Sequence, residues 1–146
     1  MENIASVFLK TAIKRFAFYK DLGDKTFAQL QEADFHFQPN EECNSIAIII
    51  QHLHGNMLSR FTNFLNEDGE KQWRQRDDEF EIHSFTKEQL LKLWEEGWQI
   101  VLNTIESLRP EDLSKTIFIR SKPHSVMAAI NRQLTHYASH VGQIIL

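Results

Sequence analysis

Four stretches of this chain repeat their apolar residues at three- and four-residue steps, the spacing of one face of an α-helix. Only 5 glycines and 3 prolines are spread over the 146 residues. That is too few for a turn-rich β fold, which needs special backbone angles at many positions. The first stretch, residues 2–32, places Ile4, Val7, Phe8, Thr11, Phe16 and Tyr19 at such steps, with Lys10, Lys14, Arg15 and Lys20 between them. Gly23 is expected to kink or break this helix, because a mid-helix glycine costs about 1 kcal/mol against alanine. A connector over residues 35–40 follows, where Pro39 pushes Gln38 out of the helical region.

A second helix is expected from Ile46 to about Leu65, capped by Asn44 or Ser45 and striped by Ile46, Ile49, Ile50, Leu53, Met57, Phe61 and Phe64. Periodicity then fails over residues 66–84, which hold seven acids against three bases. Trp73 and Phe80 suggest that this long connection packs down on the protein. Thr86 and Gln89 form a capping box for a third helix, whose stripe is Leu90, Leu91, Trp94, Trp98, Val101, Leu102 and Ile105. Pro110–Leu113 suits a short helical turn and Thr116–Arg120 a short extended piece or hairpin. Ser125 caps a fourth helix running to Leu146, where the apolar Ile144-Ile145-Leu146 is either buried or continues into further chain. The expected fold is all-α, a single four-helix-bundle domain over residues 1–146. A long crossover lets the second and third helices lie parallel.

Composition excludes several roles. Twenty acids against 16 bases give a net charge of −4, whereas a nucleic-acid binder normally shows a basic excess. The longest apolar runs, Ile46–Ile50 and Val126–Ile130, are far short of the roughly 20 residues of a membrane helix. No basic stretch followed by an apolar block opens the chain, and the lone Cys43 has no internal partner, so a reducing, cytoplasmic setting is expected.

Histidine occurs 7 times, and four of these form two tight pairs. His136 and His140 stand one turn apart on one helical face, where two ring nitrogens can reach one metal ion. Tyr137 occupies the position of the catalytic glutamate in H-E-x-x-H, which excludes a zincin-type protease. The same spacing also suits two surface histidines. His52 and His54 on the second helix point in different directions, so at most one joins a shared site, and periodicity alone does not choose between them. Three protein ligands with an open position would make a catalytic rather than a structural metal site.

Asn44-Ser45-Ile46-Ala47, followed after four residues by His52, and the terminal stretch from His136-Tyr137-Ala138-Ser139-His140 to Ile144 resemble the DinB/YfiT-like superfamily of four-helix metalloproteins. More narrowly, Gly55–Arg60, Asp68-Gly69-Glu70-Lys71 and Trp73-Arg74-x-Arg76-Asp77 resemble a bacterial branch of unassigned function. The resemblance covers nearly the whole chain, most strongly at 44–80 and 130–145. It implies a bundle with a long crossover and a divalent metal, zinc or nickel, on His52, His136 and His140, leaving His54 out. It also implies a metal-dependent enzyme: a thiol-dependent transferase using a low-molecular-weight thiol, or a hydrolase. Family habit and the aromatic content suggest a homodimer. The alternative is a non-catalytic dimeric bundle acting by protein interaction, its histidines being structural.

Asn56, Gln133 and Gln143 are placed to orient ligands or substrate, or simply to fill a polar helix seam. Arg60, Arg74, Arg76, Asp77 and Arg132 suit an anionic small-molecule substrate, although the neighbouring acids favour mutual pairing. Trp73, Trp94 and Trp98 read as core or dimer contacts. Cys43 reads as inert.

Overall fold

The structure is a computed structural model and describes residues 3–146. Glu2, where the first helix is expected to begin, lies outside the described residues. Among the described residues the chain is mostly helical, with five α-helices, two 3-10 turns and one small hairpin. Helix α1 (Ile4–Ala28) starts at Asn3, whose side chain accepts from the Ser6 amide at 2.8 Å. Its buried stripe is Leu9, Ala12, Phe16, Gly23 and Phe27. The expected positions Ile4 and Val7 are exposed instead.

Gly23 does not break α1. A Cβ there would collide with the Trp94 ring, so glycine serves as the notch into which that indole packs. The Trp94 Nε1–H then donates to Asp24 Oδ1 at 2.8 Å. Gly23→Ala should therefore destabilise the chain by about 1–3 kcal/mol despite alanine's better helix propensity, because the ring must shift in a packed core. Urea denaturation measures this, and an unchanged or raised midpoint would refute the notch.

Helix α2 (Glu32–His36) is a single turn that buries Phe35 where the connector was expected. Helix α3 (Ile46–Phe61) is capped by Ser45, whose Oγ accepts from the Ile48 amide. It ends before Leu65, with Asn63 in the left-handed region at φ 49°. Thr86 and Gln89 form the capping box of α4 (Lys87–Ser107), with reciprocal bonds of 3.1 and 2.9 Å. Helix α5 (Val126–Ile145) starts from the Ser125 cap. Near its end Ile144 is buried, while Ile145 and Leu146 are exposed.

Contacts fix how the long helices run. His54 meets Glu96, and Phe61 accepts from Thr104, so α3 and α4 advance together and are parallel. Asp24 meets Trp94 and Phe16 meets Trp98, so α1 runs antiparallel to α4. Trp94, Trp98, Tyr137, Phe16, Phe27 and Phe61 are among the largest fully buried side chains. Several meet edge-on, including Trp94 with Trp98 at 5.5 Å and Phe16 with Tyr137 at 6.1 Å.

Residues 62–86 form the crossover from α3 to α4, which the parallel arrangement requires. Trp73 is exposed, whereas the Phe80 ring, although partly exposed, rests 5.0 Å from the His52 ring. Buried polar groups pin the rest. Lys71 Nζ donates to the carbonyls of Ser59 and Asp68, and Gln51 Nε2 donates to those of Glu79 and Glu81. Gln51, His52, Asn56, Ser59 and Arg60 thus make a second buried face of α3, polar rather than apolar.

The hairpin pairs β1 (Thr116–Ile119) with β2 (Lys122–Ser125), Ile119 opposite Lys122. Its two turn residues, Arg120 and Ser121, have φ of 53° and 65°, positions that normally favour Asn-Gly. Asp68 compensates by accepting from both their amides at 2.9 and 2.8 Å. Burial raises the Asp68 and Glu70 carboxyls, but it is outweighed: backbone amides around Asp68 and arginines around Glu70 hold both below the usual range. A depressed folded pKa stabilises above the unfolded value and is lost as protons return. Stability should thus hold above about pH 4 and fall below it. Asp68→Asn should flatten that loss in thermal melts between pH 6 and pH 3.

Candidate metal centre

Polar faces of α3 and α5 meet beside the aromatic core. On α5, Tyr137 points inward and donates from its hydroxyl to Asn56 Oδ1 at 2.8 Å. That contact turns the flanking His136 and His140 toward α3, where His52 faces them. The His52 and His136 Nε2 atoms lie 3.3 Å apart, and those of His136 and His140 3.0 Å apart. All three histidines offer a ligand atom within 4.8 Å of the other two. His54 lies elsewhere, against Glu96 of α4 at 3.2 Å.

Outer partners set the ring tautomers. Glu79 Oε1 lies 3.0 Å from His52 Nδ1, and the Glu79 carboxylate is also gripped by Arg74 through bonds of 2.8 and 2.9 Å. Burial pushes the Glu79 carboxyl up, but the bonds from His52 and Arg74 bring it below its ordinary range. An ionised carboxylate only accepts, so His52 Nδ1 carries a proton, and in the neutral ring Nε2 presents the lone pair. Gln143 Oε1 accepts from His140 Nδ1 at 2.8 Å in the same way. His136 is pushed down to about 3, by burial first and then by His140, His52, Arg60 and Arg74. Burial also lowers His140, against an opposing bond to Gln143. Neutral imidazoles with aimed lone pairs are the form a metal takes.

The donor set fits such an ion. Two nitrogens each about 2.0–2.1 Å from one ion and 3.0–3.3 Å apart would subtend roughly 90–110°, between octahedral and tetrahedral angles. The carboxylate–histidine contact is the usual support of a metal-ligating imidazole. Gly55 makes room for it, since a Cβ there would collide with the Glu79 carboxylate.

Of the other expected site residues, Asn56 and Gln133 are buried beside the histidines in a cavity of about 390 Å³, and Gln143 holds His140. Arg60, Arg74, Arg76 and Arg132 line the same cavity, whereas Asp77 does not. Cys43 is exposed and does not line it either. Sequence reasoning missed Glu79 and Gly55. Glu79 read only as one of seven acids in the crossover, with no periodicity to set it apart.

The sequence profile of a family described as a protein of unknown function, DUF1572, matches residues 3–146. The chain belongs to the DUF1572 family. No curated protein matches this DUF1572 chain. Among its described residues, no helix is long and apolar enough to cross a membrane.

Proposed function

We propose that this DUF1572 protein is a four-helix bundle of the DinB-like type, one domain over residues 1–146, that holds one zinc or nickel ion on His52, His136 and His140. The convergence of three imidazole nitrogens, with His52 and His136 also lining an open cavity, is the observation that supports this. Imidazole suits zinc or nickel. Such an ion, when bound, acts as a Lewis acid that lowers the pKa of a water or thiol in a remaining position.

The protein's own part is to aim and to shield. Glu79 and Gln143 hold the His52 and His140 rings with their Nε2 atoms inward. Tyr137 and the aromatic core close the site on one side. Asn56, Gln133 and the arginines face the cavity, where a small molecule is positioned. The resulting activity is a metal-dependent transfer to a low-molecular-weight thiol in a cytoplasmic homodimer, with metal-dependent hydrolysis the nearer rival. The other rival is a dimeric scaffold without catalysis.

Cobalt substitution separates these readings. Cobalt-loaded protein should change its visible absorption when a thiol is added, because the thiolate enters an open position. A spectrum that stays unchanged with thiol excess contradicts the transferase. Insensitivity to every small ligand favours the scaffold.

A further inference from the structure

We propose that the cavity beside the histidine cluster is an oxyanion site, so that the small molecule handled there carries a carboxylate or phosphate group. This rests on the reading of that cavity as the substrate side of the metal centre. Five guanidinium groups, Arg60, Arg74, Arg76, Arg120 and Arg132, line one cavity of about 390 Å³ together with His52 and His136. Among the described residues, no aspartate or glutamate lines it. In a chain with net charge −4 and only 16 basic residues, this is a strong local excess.

The neighbouring acids do not cancel it. Glu79 pairs with Arg74, and Glu70 reaches Arg60, Arg74 and Arg120, so two carboxylates serve three arginines. Arg76 and Arg132 make no ion pair among the described residues and are exposed at the cavity mouth. Deeper in, Arg60 Nε and Gln133 Oε1 are buried without a partner, and both residues wall this cavity. Buried polar atoms normally find partners; the Arg60 Nε–H is a donor that suits an oxyanion, whereas the Gln133 Oε1 acceptor suits a donor group of the same ligand or a water. Guanidinium forks match the planar carboxylate and the tetrahedral phosphate alike, and they stay charged at any physiological pH. The volume lies in the range of small-molecule sites. A molecule anchored by its oxyanion on Arg76 and Arg132 would extend its other end toward His52 and His136.

The test is backbone-amide NMR titration of the metal-free protein with inorganic phosphate, with succinate and with the neutral succinamide. Both anions should shift cavity resonances saturably, and the neutral diamide should not. The tighter of the two identifies the source of the oxyanion. Arg76→Ala and Arg132→Ala should each weaken binding about tenfold, whereas Arg109→Ala, whose partner is the cavity-remote Glu111, should leave it unchanged. Zinc uptake, measured separately, should persist in both cavity variants and shows that they are folded. Absence of saturable anion binding in the unmodified protein overturns the proposal while leaving the metal centre standing. Binding that appears only after zinc is added, and is equal in Arg132→Ala, places the anion on the metal and also overturns it. Phosphate or succinate binding in a protein that takes up no zinc would remove the metal centre and uphold the oxyanion site.

Discussion

Glu79→Ala is expected to destabilise the protein by about 3–5 kcal/mol, because it strips a buried guanidinium of its main carboxylate partner. The Arg74 side chain is only 2% exposed, and two of its nitrogens bond Glu79 at 2.8 and 2.9 Å. Glu70, at 3.4 Å, is too distant to take over that grip without moving. The same substitution releases the His52 ring from its Nδ1 bond, so zinc affinity should fall by about 10–100-fold. Glu79→Gln keeps the volume and an acceptor for His52, and should retain more metal affinity than stability. Urea denaturation and competition with a chromophoric chelator measure the two effects. Unchanged stability in Glu79→Ala would mean that Arg74 is held by other contacts.

His136→Ala should behave in the opposite way. Its imidazole is half-buried, and its hydrogen-bonding contacts are to His52 and His140. With Nδ1 protonated on both neighbours, two lone pairs face His136 Nε2, which can donate to at most one of them. The metal-free arrangement is therefore electrostatically poor. Removing the ring should change metal-free stability by less than about 1 kcal/mol. Zinc affinity should fall by at least about 100-fold, the upper end of the loss for an outer partner alone. A histidine serving only the fold would show the reverse, with stability lost and no metal affinity to lose.

Helix starts were the most legible feature of the sequence. Ser45, Thr86 and Ser125 all cap helices, because the cap bond is local and depends on residues three apart. The stripe of α4 was legible because it too is a local pattern, set by residues three and four apart. Gly23 and α1 were not: the notch exists only because Trp94, 71 positions later, packs there. The parallel course of α3 and α4 could be anticipated from the length of the crossover, but its anchors could not. Lys71, Arg74 and Glu79 look like ordinary surface charges until Ser59, Gln51 and His52 are brought beside them.

The histidine cluster was half visible. His136 and His140 share a face by spacing alone, yet choosing His52 over His54 needed the resemblance to a known superfamily. The cause is physical. Twelve of the 16 residues of α3 are buried, so one apolar stripe does not define its single inner face. Of the expected supporting residues, Gln143 reaches a histidine directly, while Asn56 acts through Tyr137.

The metal centre is tested most directly by elemental mass spectrometry of untagged protein never exposed to a chelating resin, with His136→Ala prepared alongside. About one zinc or nickel per chain, lost in the variant, is the expected result. No metal in either protein, and no tight uptake when zinc or nickel is added to the unmodified chain, would contradict it.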